Sequence, residues 1–179
     1  MPYPISKLWN HDHEGQKRDL ERCFEAALVA AGSQSPIPVF FRADDVAVPG
    51  KQFRKLVDVF SRYQVPLSMS VVPTWLTVDR WKGIERLCNK NSKLWCFYQH
   101  GWRHMNHEPR GKKQEFGPSR PIVEIKHDLV RGRERLMSLL QDAFFPAFTP
   151  PWNRCSKDAL TVFRTSGCRA SSRSRGAFP

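Results

Sequence analysis

The sequence predicts an α/β protein built from parallel β/α units, and three observations support this. Short apolar runs alternate with amphipathic helical patterns about five times along the chain, an order typical of parallel sheets. No repeat with a period of about 20–50 residues is visible. The 179 residues, 40% hydrophobic and 26% charged, have the composition of a folded domain. Because a closed β/α barrel needs about 250 residues, the five units predict either an open sheet or an incomplete barrel.

Periodicity and capping residues place each element in order. Helices are predicted at 17–31, after Pro49, after a cap at Asp79, at 122–140, and between a cap at Ser156 and a stop at Gly167. Strands are predicted at 38–41, 67–72, 94–98, 144–148 and, more weakly, 168–171.

These elements suggest a division of the chain into three parts. Residues 1–35 are expected to form an N-terminal helical extension, residues 36–172 the β/α domain, and residues 173–179 a basic tail. No apolar run approaches the roughly 20 residues that span a bilayer, and no secretory signal is readable at the start. Five widely spaced cysteines without a CxxC pair argue against a disulfide framework. We therefore expect a cytoplasmic protein with no membrane span.

The charge balance favours anionic partners. The 29 Lys and Arg against 17 Asp and Glu give a formal net charge of +12. Much of the excess lies at 103–113 and 164–175, and the second segment reads first as a solvated tail. Nucleic-acid binding is supported by charge alone, so no nucleic-acid partner is expected.

Three polar clusters follow predicted strands. Asp44-Asp45 follows the first strand, His100 and His104 follow the third, and a Pro-Pro-Trp turn ending at Trp152 follows the fourth. The carboxyl ends of parallel strands share one edge of the sheet, which is where β/α proteins build their sites. Each cluster alone is weak evidence, since an Asp-Asp pair is often a helix cap and a His pair at i, i+4 arises by chance. Their convergence on one edge makes a common site the better interpretation.

Two imidazoles and one carboxylate are a suitable ligand set for a divalent metal. Such an open N/N/O site suits Zn²⁺, with Fe, Co or Ni as less favoured occupants. It would activate water and polarise a substrate carbonyl, while the adjacent second carboxylate would accept the proton of that water. The residue pattern assigns one aspartate to the metal and its neighbour to the base. The competing interpretation is that these are surface histidines and capping aspartates.

Three segments in this order and spacing resemble the first three motifs of the polysaccharide deacetylase (NodB-homology, carbohydrate esterase family 4-like) family. They are Phe41-Arg42-Ala43-Asp44-Asp45, His100-Gly101-Trp102-Arg103-His104 and Phe148-Thr149-Pro150-Pro151-Trp152. The stretch from Gln99 to Pro118 resembles an uncharacterised branch of the family. The resemblance covers about residues 36–172 and implies a distorted (β/α) barrel, here C-terminally incomplete.

The resemblance also implies roles for individual residues. Asp44 matches the general base, and Asp45, His100 and His104 match the metal ligands, most readily for Zn²⁺. Pro151 and Trp152 match the motif that lines the substrate groove. Arg103 is a further candidate for substrate binding.

Several positions depart from the family pattern. Val46 stands where the family usually has Gly, and Gly101 where it usually has Ser or Thr. The Arg that orients the base is absent from the third motif, and Arg42, two residues before Asp44, is a possible auxiliary. No His follows His127, so the His that protonates the leaving amine has no counterpart, and His107 is an auxiliary candidate.

The predicted function is metal-dependent hydrolysis of the N-acetyl group of an amino-sugar-containing carbohydrate, a polysaccharide or its precursor. The alternative is a catalytically impaired or truncated homologue that acts as a carbohydrate- or metal-binding module.

Overall fold

The computed structural model describes residues 13–30, 32 and 39–171. The chain divides into two compact units, Met1–Val39 and Phe40–Pro179. The predicted basic tail at 173–179 lies outside the described residues. Among the described helices, none is both long enough and apolar enough to cross a membrane.

The first unit contains one described helix, α1 (His13–Ala30), which confirms the predicted N-terminal helix. Its spaced apolar side chains Leu20, Phe24 and Leu28 are each about half exposed. The periodicity therefore predicted the helix correctly, although the apolar side chains that define it are only partly buried.

The second unit is a five-stranded parallel sheet with the strands in chain order. Sequential order is that of a β/α barrel, whereas doubly wound sheets reverse their order at a switch point. Within the part of the chain that the structure describes, β1 and β5 each pair on one side only. The described sheet is thus open and has the strand order of an incomplete barrel, which is one of the two architectures that the unit count allowed and the one that the family resemblance implied. Its strands are β1 (Phe41–Val46), β2 (Leu67–Val71), β3 (Trp95–His100), β4 (Phe144–Thr149) and β5 (Ala170–Ser171).

Helices connect the strands and cover one face of the sheet. They are α2 (Lys51–Tyr63), α3 (Val78–Cys88), α4 (Ile122–Leu140) and α5 (Lys157–Thr165). The Ser156 side chain accepts a hydrogen bond from the Ala159 N–H and caps α5, as predicted. The cap of α3 is Thr77 rather than Asp79, because α3 begins two residues earlier than the sequence pattern indicated.

Alternation along the strands separates an apolar face from a polar one. Leu67, Met69 and Val71 of β2 pack with α2, α3 and α4 in the core. The intervening Ser68 and Ser70 point to the opposite, inner face of the sheet. A second cluster joins α4 and α5 to β4 and the loop before α4, and it contains Trp102, Phe116, Ile125, Leu129, Phe148, Cys155, Ala159 and Phe163.

The first and third strands extend further than predicted. Strand β1 runs to Val46, so Asp44 and Asp45 lie within it and not just past it. The apolar run ended the predicted strand too early, because pairing with β2 continues at Arg42 and Ala43 and, after an irregularity, resumes at Val46. Strand β3 likewise ends with His100 as its last residue.

Candidate metal centre and active site

A bulge in β1 turns Asp45 out of the regular strand. The pairing of β1 with β2 shifts between Ala43 and Val46, and Asp45 has a φ of 61°. Left-handed backbone is uncommon for a residue with a side chain, although Asp tolerates it better than most. Because successive residues of a regular strand point to opposite faces, the bulge lets two consecutive aspartates serve one site.

His100 is fixed by the strand beside it. It is 2% exposed, and its Nδ1 lies 2.9 Å from the carbonyl oxygen of Thr149 in β4. A carbonyl oxygen only accepts hydrogen bonds, so Nδ1 carries the proton and Nε2 presents its lone pair. That Nε2 lies 3.3 Å from Oδ1 of Asp45.

His104 completes the cluster from the loop after β3. Its Nε2 lies 3.2 Å from the same Oδ1 of Asp45. The imidazole ring lies near two indoles, with ring centroids 4.4 Å from Trp152 and 5.6 Å from Trp75. Sequence reasoning missed Trp75, which follows β2 and carries no motif of its own.

The three side chains meet the geometric requirements of a metal site. Their ligand atoms all lie within 4.8 Å of one another. Ligands about 2.0–2.1 Å from a tetrahedral zinc ion stand about 3.3 Å apart, close to both distances between Asp45 Oδ1 and the imidazole nitrogens. This is the only such cluster found among residues 13–30, 32 and 39–171.

Charge and burial favour the ligand protonation states. In the metal-free site, a hydrogen bond from a His100 ring that also carries a proton on Nε2 holds the pKa of Asp45 below its ordinary value, helped by the charges of His104 and His100 and opposed by burial. Burial lowers the pKa of His104, although the carboxylate of Asp45 acts in the other direction. A carboxylate and a neutral imidazole are the forms that bind metal.

Asp44 lies beside this cluster on the inner face of the sheet and has different partners. The Ser70 hydroxyl donates to its Oδ1 at 2.7 Å. Arg42 approaches both carboxylate oxygens, with Nε 2.9 Å from Oδ1 and Nη2 2.9 Å from Oδ2. The same Nη2 donates to Oδ1 of Asn153 at 2.5 Å. The predicted proximity of Arg42 and Asp44 is therefore observed, and Arg42 links the base candidate to the turn after β4.

That turn carries Pro151 and Trp152. Residues Pro151–Asn153 form a 3₁₀ turn in which Trp152 has a φ of 54° and Asn153 a φ of 58°. Pro151 is buried and lies where a side chain at Gly101 would stand. The described residues include six non-glycine residues with positive φ, and four of them, Asp45, His104, Trp152 and Asn153, belong to this site. Such clustering of strained backbone is characteristic of functional sites.

A buried carboxylate that sequence reasoning did not assign supports the loop after β3. Glu115 is fully buried, and its carboxylate accepts hydrogen bonds from the backbone N–H groups of Trp102, Arg103 and His104 at 3.2, 2.6 and 3.2 Å. Burial raises its pKa, while these three N–H groups act to lower it. The available signal was its place within the stretch from Gln99 to Pro118, which the family resemblance included without giving Glu115 a role.

The remaining predicted residues lie around the cluster with fewer contacts. Arg103 is exposed in the loop after β3. His107 is classed as exposed. The part of its ring that is buried, together with the charge of Arg120, lowers its pKa. Lys113 places its Nζ 6.0 Å from the ring centroid of Trp152. The roles of Arg103 and His107 stay predictions.

A groove of about 490 Å³ borders the two aspartates. Phe53, Leu56 and Trp75 form part of its wall. An apolar wall beside a few polar groups is typical of small-molecule sites.

Comparison with protein-family models and with curated protein sequences finds no match. Comparison with solved structures finds several similar folds. A peptidoglycan N-acetylglucosamine deacetylase matches with a TM-score of 0.55 at 14% identity, over 74% of this chain and 54% of its own. A family 4 acetyl xylan esterase from Clostridium thermocellum, in complex with a cobalt ion, matches with a TM-score of 0.51 at 15% identity, over 69% and 53%. A family 4 pseudoenzyme from Bacillus anthracis matches with a TM-score of 0.52 at 12% identity, over 76% and 47%.

The chain spans about half the length of these proteins. At these identities the likeness concerns the fold alone, and it agrees with the fold that the three sequence motifs predicted. The chain therefore has the fold of the family 4 carbohydrate esterases, the polysaccharide deacetylase fold.

Proposed function

We propose that this protein is a metal-dependent deacetylase that hydrolyses the N-acetyl group of an amino-sugar-containing carbohydrate. The observation that carries the proposal is the convergence of Asp45, His100 and His104 on one point, with their nitrogens 3.2 and 3.3 Å from a shared carboxylate oxygen. Asp44, a second carboxylate, lies beside that point with its own partners.

The donor set fits a divalent metal, and Zn²⁺ is the proposed occupant. Two neutral imidazoles and one carboxylate leave coordination positions open, as catalytic zinc sites require. A metal held there lowers the pKa of a water molecule towards neutrality and polarises an amide carbonyl. The solved esterase with a cobalt ion supports a metal in this fold.

Asp44 is the proposed general base. It accepts the proton of the attacking water, and Arg42 and Ser70 orient its carboxylate through the contacts described above. Because Arg42 donates to Asn153 as well, it links the proposed base to the turn after β4.

Substrate binding is proposed for the turn after β4 and the loop after β3. Trp152 is half-buried and offers an aromatic face to a sugar ring, and its backbone N–H is the proposed donor to the developing oxyanion. Arg103 is proposed to bind polar groups of the carbohydrate. His107 is a weaker candidate for an auxiliary role in the site. The charges that act on its ring belong to Arg103, Arg120, Glu124 and Asp128 rather than to the metal cluster.

A second candidate function is a metal- or carbohydrate-binding module without turnover. A family 4 pseudoenzyme from Bacillus anthracis has the same fold at a comparable TM-score, so the fold alone does not separate the two functions. The experiment below distinguishes them.

The test combines metal binding with turnover. Metal-free protein is titrated with Zn²⁺ by calorimetry and assayed on N-acetylglucosamine oligomers, with Asp44→Asn beside the wild type. One zinc per chain in both proteins is expected, with deacetylation lowered about 10²–10⁴-fold in the variant, the usual contribution of a general base.

Asp58→Asn, an exposed aspartate on α2, is the matched control and should leave both properties unchanged. Zinc binding without deacetylation by the wild type would favour the binding module. Failure of the wild type to bind any divalent metal would contradict both candidates as metal proteins.

A further inference from the structure

The turn that carries His104 has an unusual construction. Gly101 has a φ of 64° and His104 a φ of 58°, so both ends of this four-residue segment are left-handed. Between them the backbone N–H groups of consecutive residues point inwards. Such a run of N–H groups forms an anion-binding concavity, and in this protein the anion is the buried side chain of Glu115.

Every polar backbone group needs a partner when it is buried, and in this turn the partners come from elsewhere in the chain. Three N–H groups donate to Glu115. The Trp102 carbonyl accepts from Thr74, and the Gly101 carbonyl accepts from Gln99. The turn is therefore held by its surroundings and not by internal hydrogen bonds of its own.

Glu115 is itself rigidly placed. The next residue, Phe116, is fully buried and packs edge-on against Phe148 at 5.6 Å between ring centroids. The Phe116 carbonyl accepts from the Ser156 N–H at 2.8 Å, at the start of α5. The carboxylate is thus tied to the core on one side and to the metal-ligand turn on the other.

Gly101 is what makes room for this carboxylate. A Cβ at that position would stand 2.1 Å from Glu115 Oε2 and 2.6 Å from Pro151 Cγ. The glycine and the buried carboxylate therefore depend on each other.

From these contacts we propose that Glu115 is a positioning residue for the metal site, which holds His104 at the correct distance from Asp45 by binding the backbone of residues 102–104. This rests on the proposed metal function. Glu115 does not contact the metal in this assignment, and it acts only through His104. Loss of such an outer partner typically weakens metal binding about 10–100-fold.

Glu115→Gln tests the assignment, because it keeps the shape but sets an NH₂ group against backbone N–H groups and removes the charge. Glu108→Gln is the matched control. Glu108 lies in the same loop, and its carboxylate also binds a backbone N–H, that of Ser119, together with the Ser119 hydroxyl. Affinity for Co²⁺ is measured by calorimetry, and the visible absorption spectrum of bound Co²⁺ reports the coordination geometry.

The expected result is an affinity about 10–100-fold weaker in Glu115→Gln, with an altered Co²⁺ spectrum and wild-type circular dichroism in the metal-free state. Glu108→Gln should match the wild type, and Glu115→Asp, which keeps the charge but is one methylene shorter, should fall between. Wild-type affinity and spectrum in Glu115→Gln would overturn the inference and leave the proposed function standing. Unfolding of both metal-free Glu115 variants would also overturn it, since the carboxylate would then serve the fold alone. If the wild type binds no Co²⁺, the proposed function fails, and the inference fails with it.

Discussion

The two ends of the parallel sheet contain similar residue types but use them differently. At the amino end, Trp81, Trp95, Phe97 and Phe144 line a pocket of about 450 Å³ together with polar residues that include Glu85 and Asp142. The Trp95 indole donates to the Cys88 carbonyl at 2.8 Å, and Trp81 packs edge-on against Phe97 at 5.1 Å. These contacts join helices to strands in ordinary backbone conformations.

At the carboxyl end the aromatic rings lie beside ionisable groups. Trp75 and Trp152 both lie near the imidazole of His104, and four residues at this end have left-handed backbone. Burial raises the pKa of Cys88 at the amino end to about 12, which makes it inert, whereas charge partners at the carboxyl end keep Asp45 ionised. The contacts at the amino end are therefore those of core packing, whereas the carboxyl end concentrates left-handed backbone around ionisable groups, as functional sites do.

The largest expected effect lies at the carboxyl end. His104→Ala removes one of the three proposed metal ligands, so stoichiometric zinc binding should be lost while the metal-free protein melts near the wild-type temperature. Calorimetric titration and circular dichroism measure the two properties. His127→Ala is the control, because that side chain is 62% exposed on α4. Full zinc content in His104→Ala would contradict the proposed role of His104 as a metal ligand.

The next effect belongs to the amino end. Phe97 is 4% exposed, and Phe97→Ala should lower the free energy of unfolding by about 3–5 kcal/mol, the usual cost of deleting a buried aromatic ring. Zinc affinity of the folded variant should not change. Urea unfolding measures the difference, with Phe145→Ala, at a 39% exposed position, as the milder counterpart. A loss of zinc affinity under conditions where Phe97→Ala is fully folded would show that the packing at the amino end affects the metal site at the carboxyl end.

A smaller effect is expected on kcat alone, and it would distinguish the proposed base, Asp44, from the proposed metal ligands. Arg42→Lys loses the paired contacts with Asp44 and Asn153. Hydrogen bonds to charged groups are worth about 1.5–3 kcal/mol, so kcat should fall about 10–100-fold with zinc affinity unchanged. Steady-state kinetics with Arg62→Lys, at an exposed position on α2, as control provides the test. An unchanged kcat would contradict the proposed role of Arg42 in orienting Asp44.

The smallest effect tests whether every residue at the carboxyl end is functional. The Thr77 hydroxyl accepts from the Arg80 N–H at 3.3 Å and caps α3. Thr77→Ala should cost about 1 kcal/mol of unfolding free energy and leave zinc binding and kcat at wild-type values. Urea denaturation beside Ser156→Ala, the matching cap of α5, measures it. A change in zinc affinity would mean that α3 also positions the site.

Local patterns in the sequence predicted most of the architecture. The helix at 122–140 matches α4 at both bounds, since its steps of three and four are sustained over five turns. Strand ends were less predictable. The apolar run before β1 stops at Phe41, yet the strand begins there and continues to Val46. Pairing with β2 holds this segment in a strand although it contains polar residues.

Among the site residues, the three-ligand cluster was predicted and Glu115 was not. Asp45 and His100 lie at the carboxyl ends of β1 and β3, and His104 lies in the loop just after β3, so parallel topology brings all three to one edge. Glu115 lies eleven residues after His104 in a polar loop, and an isolated glutamate there reads as solvated. Only the folded loop shows that it is buried under three N–H donors.

The sequence by itself determined the β/α order, the fold that the three motifs indicate, and the residue types at the carboxyl edge. These follow from alternation, caps and spacing, which act over a few residues. Tertiary structure alone decided the bulge at Asp45, the left-handed backbone at His104, the link of Arg42 to Asn153, and the burial of Glu115. Each of these depends on partners distant in sequence, because a strained backbone or a buried charge persists only where the surrounding fold supplies the compensating contacts.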